Sequence, residues 1–169
     1  MMAEIPAEYI TRASAALYGA LGRGTMGDVL MIFWGLMLAA ASAAGPEREV
    51  LEQVNAHRRA AGLAELVWNA GAAEEARRHC GRVLAGLAAE PHEGFGQRAG
   101  RLRREEGAKQ IGENVFLQEN GAFRAARALE AWLASESHRR TLEGPYGQSG
   151  VGVVIRGRRA CAAQIFLGR

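Results

Sequence analysis

The segment at residues 112–118 (GENVFLQ) constrains the fold more than any other part of the sequence. Its residues alternate well enough for a β-strand, yet a carboxylate, Glu113, stands among apolar neighbours. A carboxylate is costly to bury without a partner, so an inward-facing Glu113 is expected to belong to a functional site. Two imidazoles flank it in sequence, His92 in PHEGFGQR and His138 in WLASESHR. Two imidazoles and a carboxylate are groups that bind a divalent metal ion or transfer protons.

An uncharged run of sixteen residues, 29–44 (VLMIFWGLMLAAASAA), separates the first part of the chain from the rest. The run is short for a membrane-spanning helix and ends in A-x-A, the pattern that precedes signal-peptide cleavage. We therefore expect residues 1–44 to be a secretory signal peptide, with an uncleaved N-terminal anchor as the alternative. Residues 45–169 would then be a secreted or periplasmic domain, or a membrane-anchored one facing outside the cytoplasm. The protein would touch a membrane only through an uncleaved N-terminal segment.

The charge balance of the remaining chain argues against a nucleic-acid partner. Without residues 1–44, the chain carries 19 basic and 15 acidic residues and no long block of like charge. The densest basic patch is followed at once by Glu105 and Glu106, so it is interpreted as a solvated helix face. That patch comprises Arg98, Arg101, Arg103 and Arg104.

The periodicity of apolar residues predicts an α+β domain. Helices are expected at about 47–60, 71–88 and 122–135, with a basic helix connecting to a strand at 111–118 and a final hairpin of strands near 149–155 and 159–166. The second helix carries an apolar stripe of Ala73, Ala76, Cys80, Leu84 and Leu87. Trp68 and Trp132 are expected to anchor the core. The pattern alone leaves the topology open.

The two cysteines, Cys80 and Cys161, admit two interpretations. In an exported chain an even pair favours a disulfide, which here would close a loop of roughly eighty residues and contribute about 4 kcal/mol. Alternatively, each is a small buried hydrophobe, since Cys80 lies on the apolar stripe and Cys161 shares a strand face with Ala163 and Ile165.

The order and spacing of PHEGFGQR, GENVFLQ and WLASESHR resemble the CAP superfamily (cysteine-rich secretory proteins, antigen 5 and pathogenesis-related 1 proteins), in its short bacterial SCP-domain form. The segments VNAHRRAAGLAELVWN, GVGV and AQIF extend the resemblance over nearly all of residues 45–169. It implies a CAP-type α-β-α sandwich, with a small antiparallel sheet between helical layers. It also implies a cleft in which two His and two Glu converge, at positions matched here by His92, Glu113, Ser135 and His138.

One of these four positions departs from the pattern. Ser135 stands where many eukaryotic members have Glu, and the next residue, Glu136, would be turned by about 100° along a helix and is expected to be solvated. The remaining set, His92, Glu113 and His138, suits zinc better than calcium, which prefers six or more oxygen ligands.

Three other polar residues receive structural interpretations. Asn114, next to Glu113, is expected to fix the strand and cleft by hydrogen bonds. His57, beside Asn55 and Arg58 on the first helix, and His79, beside two arginines, are both expected to be solvated.

Three functions are compatible with these residues. The first is an exported binding module for a divalent cation or a small amphiphile, such as a lipid or sterol-like ligand. The second is a metal-assisted hydrolase in which His92 and His138 hold the metal and Glu113 acts as ligand or general base. The third is a structural envelope protein. A hydrolase needs a base separate from its metal ligands, and only Glu93 or Glu136 could supply it, so the sequence favours binding. No G-x-S-x-G elbow or phosphate-binding loop is present.

Overall fold

The computed structural model describes residues 45–169, so the expected signal peptide or anchor at 1–44 lies outside the described residues. The helices are α1 (Pro46–Ala60), α2 (Ala70–Leu84), α3 (Phe95–Glu106), α4 (Ala125–Ala134) and α5 (Glu136–Leu142). The strands are β1 (Val67–Trp68), β2 (Gln110–Gln118), β3 (Gln148–Arg156) and β4 (Arg159–Gly168). The predicted α+β class is confirmed. Within the described part of the chain, no helix is long and apolar enough to cross a membrane.

The four strands form one sheet in the order β1-β3-β4-β2. Strand β4 lies between β3 and β2 and is antiparallel to both, as the predicted hairpin requires. The sheet is mixed rather than purely antiparallel, because β1 pairs in parallel with β3 over two residues. A parallel pair needs a long crossover connection, and the chain between β1 and β3 supplies one that contains four helices and β2.

Side chains that alternate along β4 fill a core on each face of the sheet, which makes the domain the expected α-β-α sandwich. Ala162 and Phe166 point to the face covered by α1 and α4, where Trp132 is 1% exposed. Cys161 and Ile165 point to the opposite face, which α2 covers. The central strand is therefore buried on both sides.

Helix α2 lies directly against strand β3 because glycines leave no side chain between them. A Cβ atom at Gly150 would come within 2.0 Å of the backbone nitrogen of Ala73, and one at Gly152 within 2.1 Å of that of Arg77. The side chain of Asn69 caps the helix by accepting a hydrogen bond from the backbone nitrogen of Ala72 at 2.7 Å. The cap and the two glycines together fix where α2 begins and how closely it packs.

A disulfide between Cys80 and Cys161 joins α2 to the central strand β4. Both residues are completely buried, as the second interpretation predicted. They are nevertheless bonded to each other, so the first interpretation, a disulfide, is the correct one. The apolar stripe of α2 holds as far as Leu84. Leu87 is 61% exposed, contrary to the prediction, because the helix ends at Leu84 and Gly86 adopts a positive φ of 71°.

The first helix is also buried more completely than predicted. Asn55 and Arg58 are buried, and Arg58 donates to the backbone oxygens of Leu142 at 2.6 Å and Gly144 at 3.1 Å. His57 is half-buried rather than solvated, with Nε2 3.0 Å from Glu143 Oε1. These contacts hold the C-terminal end of α5 against α1.

Candidate functional site

Glu113 lies on β2 with its side chain 1% exposed, and its carboxylate is paired with Arg98 of α3. Arg98 Nε donates to Glu113 Oε2 at 2.9 Å, and Arg98 Nη2 donates to Oε1 at 2.8 Å. Two parallel bonds of this kind form the bidentate pair that guanidinium and carboxylate geometries favour. The Arg98 side chain is 6% exposed, so both charges are removed from water together.

His92 comes from the loop before α3 and lies against the same carboxylate. Its Nδ1 is 3.1 Å from Glu113 Oε1, while the side chain is 48% exposed. A carboxylate accepts hydrogen bonds, so Nδ1 is assigned the proton and Nε2 keeps a free lone pair when the ring is neutral. Arg98 Nη1 also donates to the backbone oxygen of Glu93 at 2.7 Å, which ties this loop to α3.

His138 lies on α5, with its ring centroid 6.0 Å from that of His92 and the two planes inclined by 37°. Burial lowers the pKa of His138, and the neighbouring His92 lowers it further, so the ring is neutral at pH 7. Asn114 Nδ2 donates to the backbone oxygen of His138 at 3.0 Å. This is the positioning contact expected of Asn114, and it holds α5 beside β2.

Ser135 and Glu136 lie at the break between α4 and α5. Ser135 has an extended backbone, and its Oγ is 3.1 Å from Ser137 Oγ. The Glu136 side chain is 72% exposed and pairs with Arg140 at 3.3 Å, so it is solvated as predicted. Ser135 and Glu136 are not separated by the expected 100° helical step, because the helix is interrupted at Ser135.

Arg98 was assigned to a solvated basic patch, and that prediction is wrong. Of the patch, Arg103 and Arg104 are exposed, whereas Arg101 binds both oxygens of the buried Glu75 at 2.7 Å each and Arg98 holds Glu113. A signal for Arg98 was present in the sequence. It precedes the buried Leu102 by four residues, and residues at that spacing share one face of a helix.

His79 was also expected to be solvated, but it is 1% exposed. Its Nε2 lies 2.5 Å from the backbone oxygen of Pro91, the residue before His92. Burial lowers the pKa of His79. Its Nδ1 has no hydrogen-bond partner among residues 45–169. His79 thus supports the loop that carries His92, although its sequence neighbours Arg77 and Arg78 face outward.

The predicted metal set of His92, Glu113 and His138 is not assembled as three ligands. Both oxygens of Glu113 accept from Arg98, and one also contacts His92. Within residues 45–169, no three His, Cys, Asp or Glu side chains are arranged to hold a metal ion. Glu113 instead occupies the position behind a histidine from which carboxylates orient imidazole ligands. The remaining members of the predicted set are the two imidazoles, whose ring centroids lie 6.0 Å apart.

A cleft of about 420 Å³ opens between α2 and α3. Its lining includes Arg98 and Glu93 but not the three side chains of the predicted metal set. Arg98 therefore links this cleft with the carboxylate of Glu113. Four arginines and two glutamates line it, with Arg78 and Arg101 sharing Glu75.

Comparison with known proteins agrees with this fold. The model of the CAP family, described as the cysteine-rich secretory protein family, matches residues 51–164. An extracellular protein containing an SCP domain from Bacillus anthracis is 25% identical with a TM-score of 0.57, and the match covers 74% of this chain and 41% of that protein. An outer surface protein from Borrelia burgdorferi is 17% identical with a TM-score of 0.61, covering 71% of this chain and 90% of that one. A cysteine-rich secretory protein from Staphylococcus aureus is 22% identical with a TM-score of 0.54, covering 71% and 37%.

The fold is an α-β-α sandwich, and two histidines lie near a glutamate from a G-E-N strand. These are the features in which the sequence resembles the CAP superfamily. The family match covers well over half of the sequence, so the chain belongs to the CAP family. It spans less than half of the Bacillus and Staphylococcus proteins, and no curated protein is similar enough to count as a match.

Proposed function

We propose that this protein is an exported CAP-domain binding module that presents His92 and His138 to a small ligand and catalyses no reaction. The main support for the proposal is that both carboxylate oxygens of Glu113 accept hydrogen bonds, from Arg98 and His92. The carboxylate fixes the orientation of one imidazole, and the second imidazole lies 6.0 Å away. This arrangement supports a role in recognition rather than in catalysis.

The contacts of the carboxylates near the two histidines, among residues 45–169, argue against the hydrolase alternative in which those histidines hold a metal ion and a carboxylate acts as base. Glu113 accepts three hydrogen bonds, and Glu136 is solvated and paired with Arg140. Glu93 Oε2 accepts a hydrogen bond from the backbone nitrogen of Ala89 at 2.6 Å, so this carboxylate stabilises the loop before α3. A general base must reach the proton that it removes, and the one of these three carboxylates that contacts His92, Glu113, is held by Arg98.

The ligand is expected to be one that imidazole nitrogens recognise. His92 Nε2 and the His138 ring offer nitrogen donors, which suit a zinc-type cation, and calcium is disfavoured because its ligands are oxygens. With only two protein ligands, such a cation would keep open positions for water or a second ligand. The polar head of a small amphiphile, such as a lipid or sterol-like molecule, is the other ligand that these groups could bind by hydrogen bonds.

Two observations support an extracytoplasmic location. Similar structures carry the descriptions "extracellular protein" and "outer surface protein". The disulfide between Cys80 and Cys161 is of a kind that persists in oxidising compartments.

Thermal unfolding of the purified protein with zinc, calcium and a chelator tests the cation. Zinc should raise Tm progressively with concentration, and a concentration of 100 times Kd would add about 2.7 kcal/mol to the free energy of unfolding. The rise should vanish in the His92→Ala/His138→Ala variant and persist in His57→Ala, a matched histidine outside the site. A zinc effect that survives the double substitution would refute binding at this pair.

A fluorescent fatty acid, titrated into the same three proteins, tests the amphiphile. Binding should saturate in the wild type and in His57→Ala and be lost in the double variant. If neither ligand binds and the double substitution alters only stability, the binding proposal fails and the alternative of a structural envelope protein is favoured.

A further inference from the structure

The guanidinium in the buried ion pair of Arg98 and Glu113 is held by three hydrogen bonds rather than by a single contact. The two guanidinium–carboxylate bonds measure 2.8 and 2.9 Å, and a third bond to the backbone oxygen of Glu93 fixes the same guanidinium. The side chains are 6% and 1% exposed, so water does not compete for them. Arg98 therefore cannot turn away from Glu113 without breaking three hydrogen bonds.

A carboxylate binds a cation through the same lone pairs that accept hydrogen bonds. The planar fork of arginine occupies one lone pair on each oxygen and carries a charge that does not titrate. With His92 also on Oε1, three of the roughly four lone pairs of Glu113 accept hydrogen bonds. A metal ion approaching the remaining lone pair on Oε2 would meet the positive charge of the guanidinium in a site that screens charges poorly. Lysine would offer a single point contact and so would hold the carboxylate less completely.

We propose that Arg98 is a specificity-determining residue, a built-in cation that withholds Glu113 from metal ions and reserves it for orienting His92. The inference concerns the same site as the proposed function and rests on it for the role of the two imidazoles. Arg98 limits cation binding to His92 and His138, which favours weakly held cations or uncharged ligands. Removing the guanidinium frees Glu113 as a third ligand.

Zinc titration by calorimetry at pH 7 tests this assignment. Arg98→Met should bind zinc at least about tenfold more tightly than the wild type, because two His and one carboxylate form a set typical of zinc sites. The Arg98→Met/Glu113→Gln variant should return to the wild-type affinity, since it lacks the carboxylate. Arg98→Lys should lie between the wild type and Arg98→Met.

Equal zinc affinity in the wild type and Arg98→Met, or tight binding that survives Glu113→Gln, would overturn the inference. If Arg98→Met is unfolded without metal, zinc-dependent recovery of its circular dichroism supports the inference, and failure to recover overturns it. The double variant carries no unpaired buried charge and reports whether the site folds without the ion pair. If the wild type does not bind zinc but the Arg98→Met variant does, the proposed cation ligand is refuted and the role of Arg98 is supported.

Discussion

Removal of the Cys80–Cys161 disulfide is expected to lower the free energy of unfolding by about 4.5 kcal/mol. The two cysteines are 81 residues apart, so the bridge closes most of the domain into one loop. In the chain-entropy account, that closure removes about 15 cal/mol/K from the unfolded chain, which gives the quoted value at 25 °C. For a domain of roughly 125 residues, the corresponding fall in Tm is about 17 °C.

Calorimetry of the wild type measures this cost directly. The oxidised protein is compared with protein that has been unfolded and then refolded in reductant. Reduced wild type keeps both sulfur atoms in the core, so it isolates the effect of the cross-link from that of packing. The Cys80→Ala/Cys161→Ala variant should lose about the same free energy, with an additional cost for the small cavities, and should be insensitive to reductant. A fall in Tm of less than about 5 °C on reduction would refute the loop-closure reasoning.

Three further predictions concern packing, a buried carboxylate and pH. Gly150→Ala should lower the free energy of unfolding by about 3 kcal/mol or more because its Cβ would strike the backbone of α2. Gly81→Ala, on the open side of that helix, should raise it by about 0.5–1 kcal/mol, and urea unfolding of both variants tests the contrast. Glu75→Gln should cost about 2 kcal/mol, since the carboxylate is 3% exposed and binds two arginines, whereas Glu74→Gln, 54% exposed, should change stability by less than about 0.5 kcal/mol. Burial lowers the pKa of His79 in the folded state, so the unfolded chain binds the proton more readily and stability should fall as pH drops below about 6.5, by up to about 1.4 kcal/mol per pH unit. The His79→Gln variant should show a shallower fall in urea unfolding between pH 8 and 5, and an unchanged slope would contradict the assignment.

The strand with Glu113 and the final hairpin were predictable because local patterns determine them. Strand β2 begins one residue before the predicted start and ends where predicted, at Gln118. The hairpin turns at Gly157, whose φ of 62° suits glycine. Strand β1 has only two residues, too few for any periodic signal, so the mixed character of the sheet could not be read from the sequence.

The candidate site was only partly predictable because its decisive contact is tertiary. The resemblance to a known family located His92, Glu113 and His138, and the latter two are 25 residues apart in the sequence. The pairing of Arg98 with Glu113 depends on how α3 packs against β2, and a run of arginines followed by glutamates is equally typical of a solvated helix. His79 was missed for the same reason, since its burial depends on the loop that folds over it.

The position of β4 in the sheet has a consequence for how the protein is made. Residues 159–168 form the strand between β3 and β2, and they emerge from the ribosome after every other described element. Until they arrive, β2 and β3 have no common neighbour, neither face of the sheet can be completed, and Cys80 lacks its partner. The sheet can therefore be completed only after residues 159–168 have left the ribosome. A chain cut before Arg159 would lack the strand that lies between the two layers of helices.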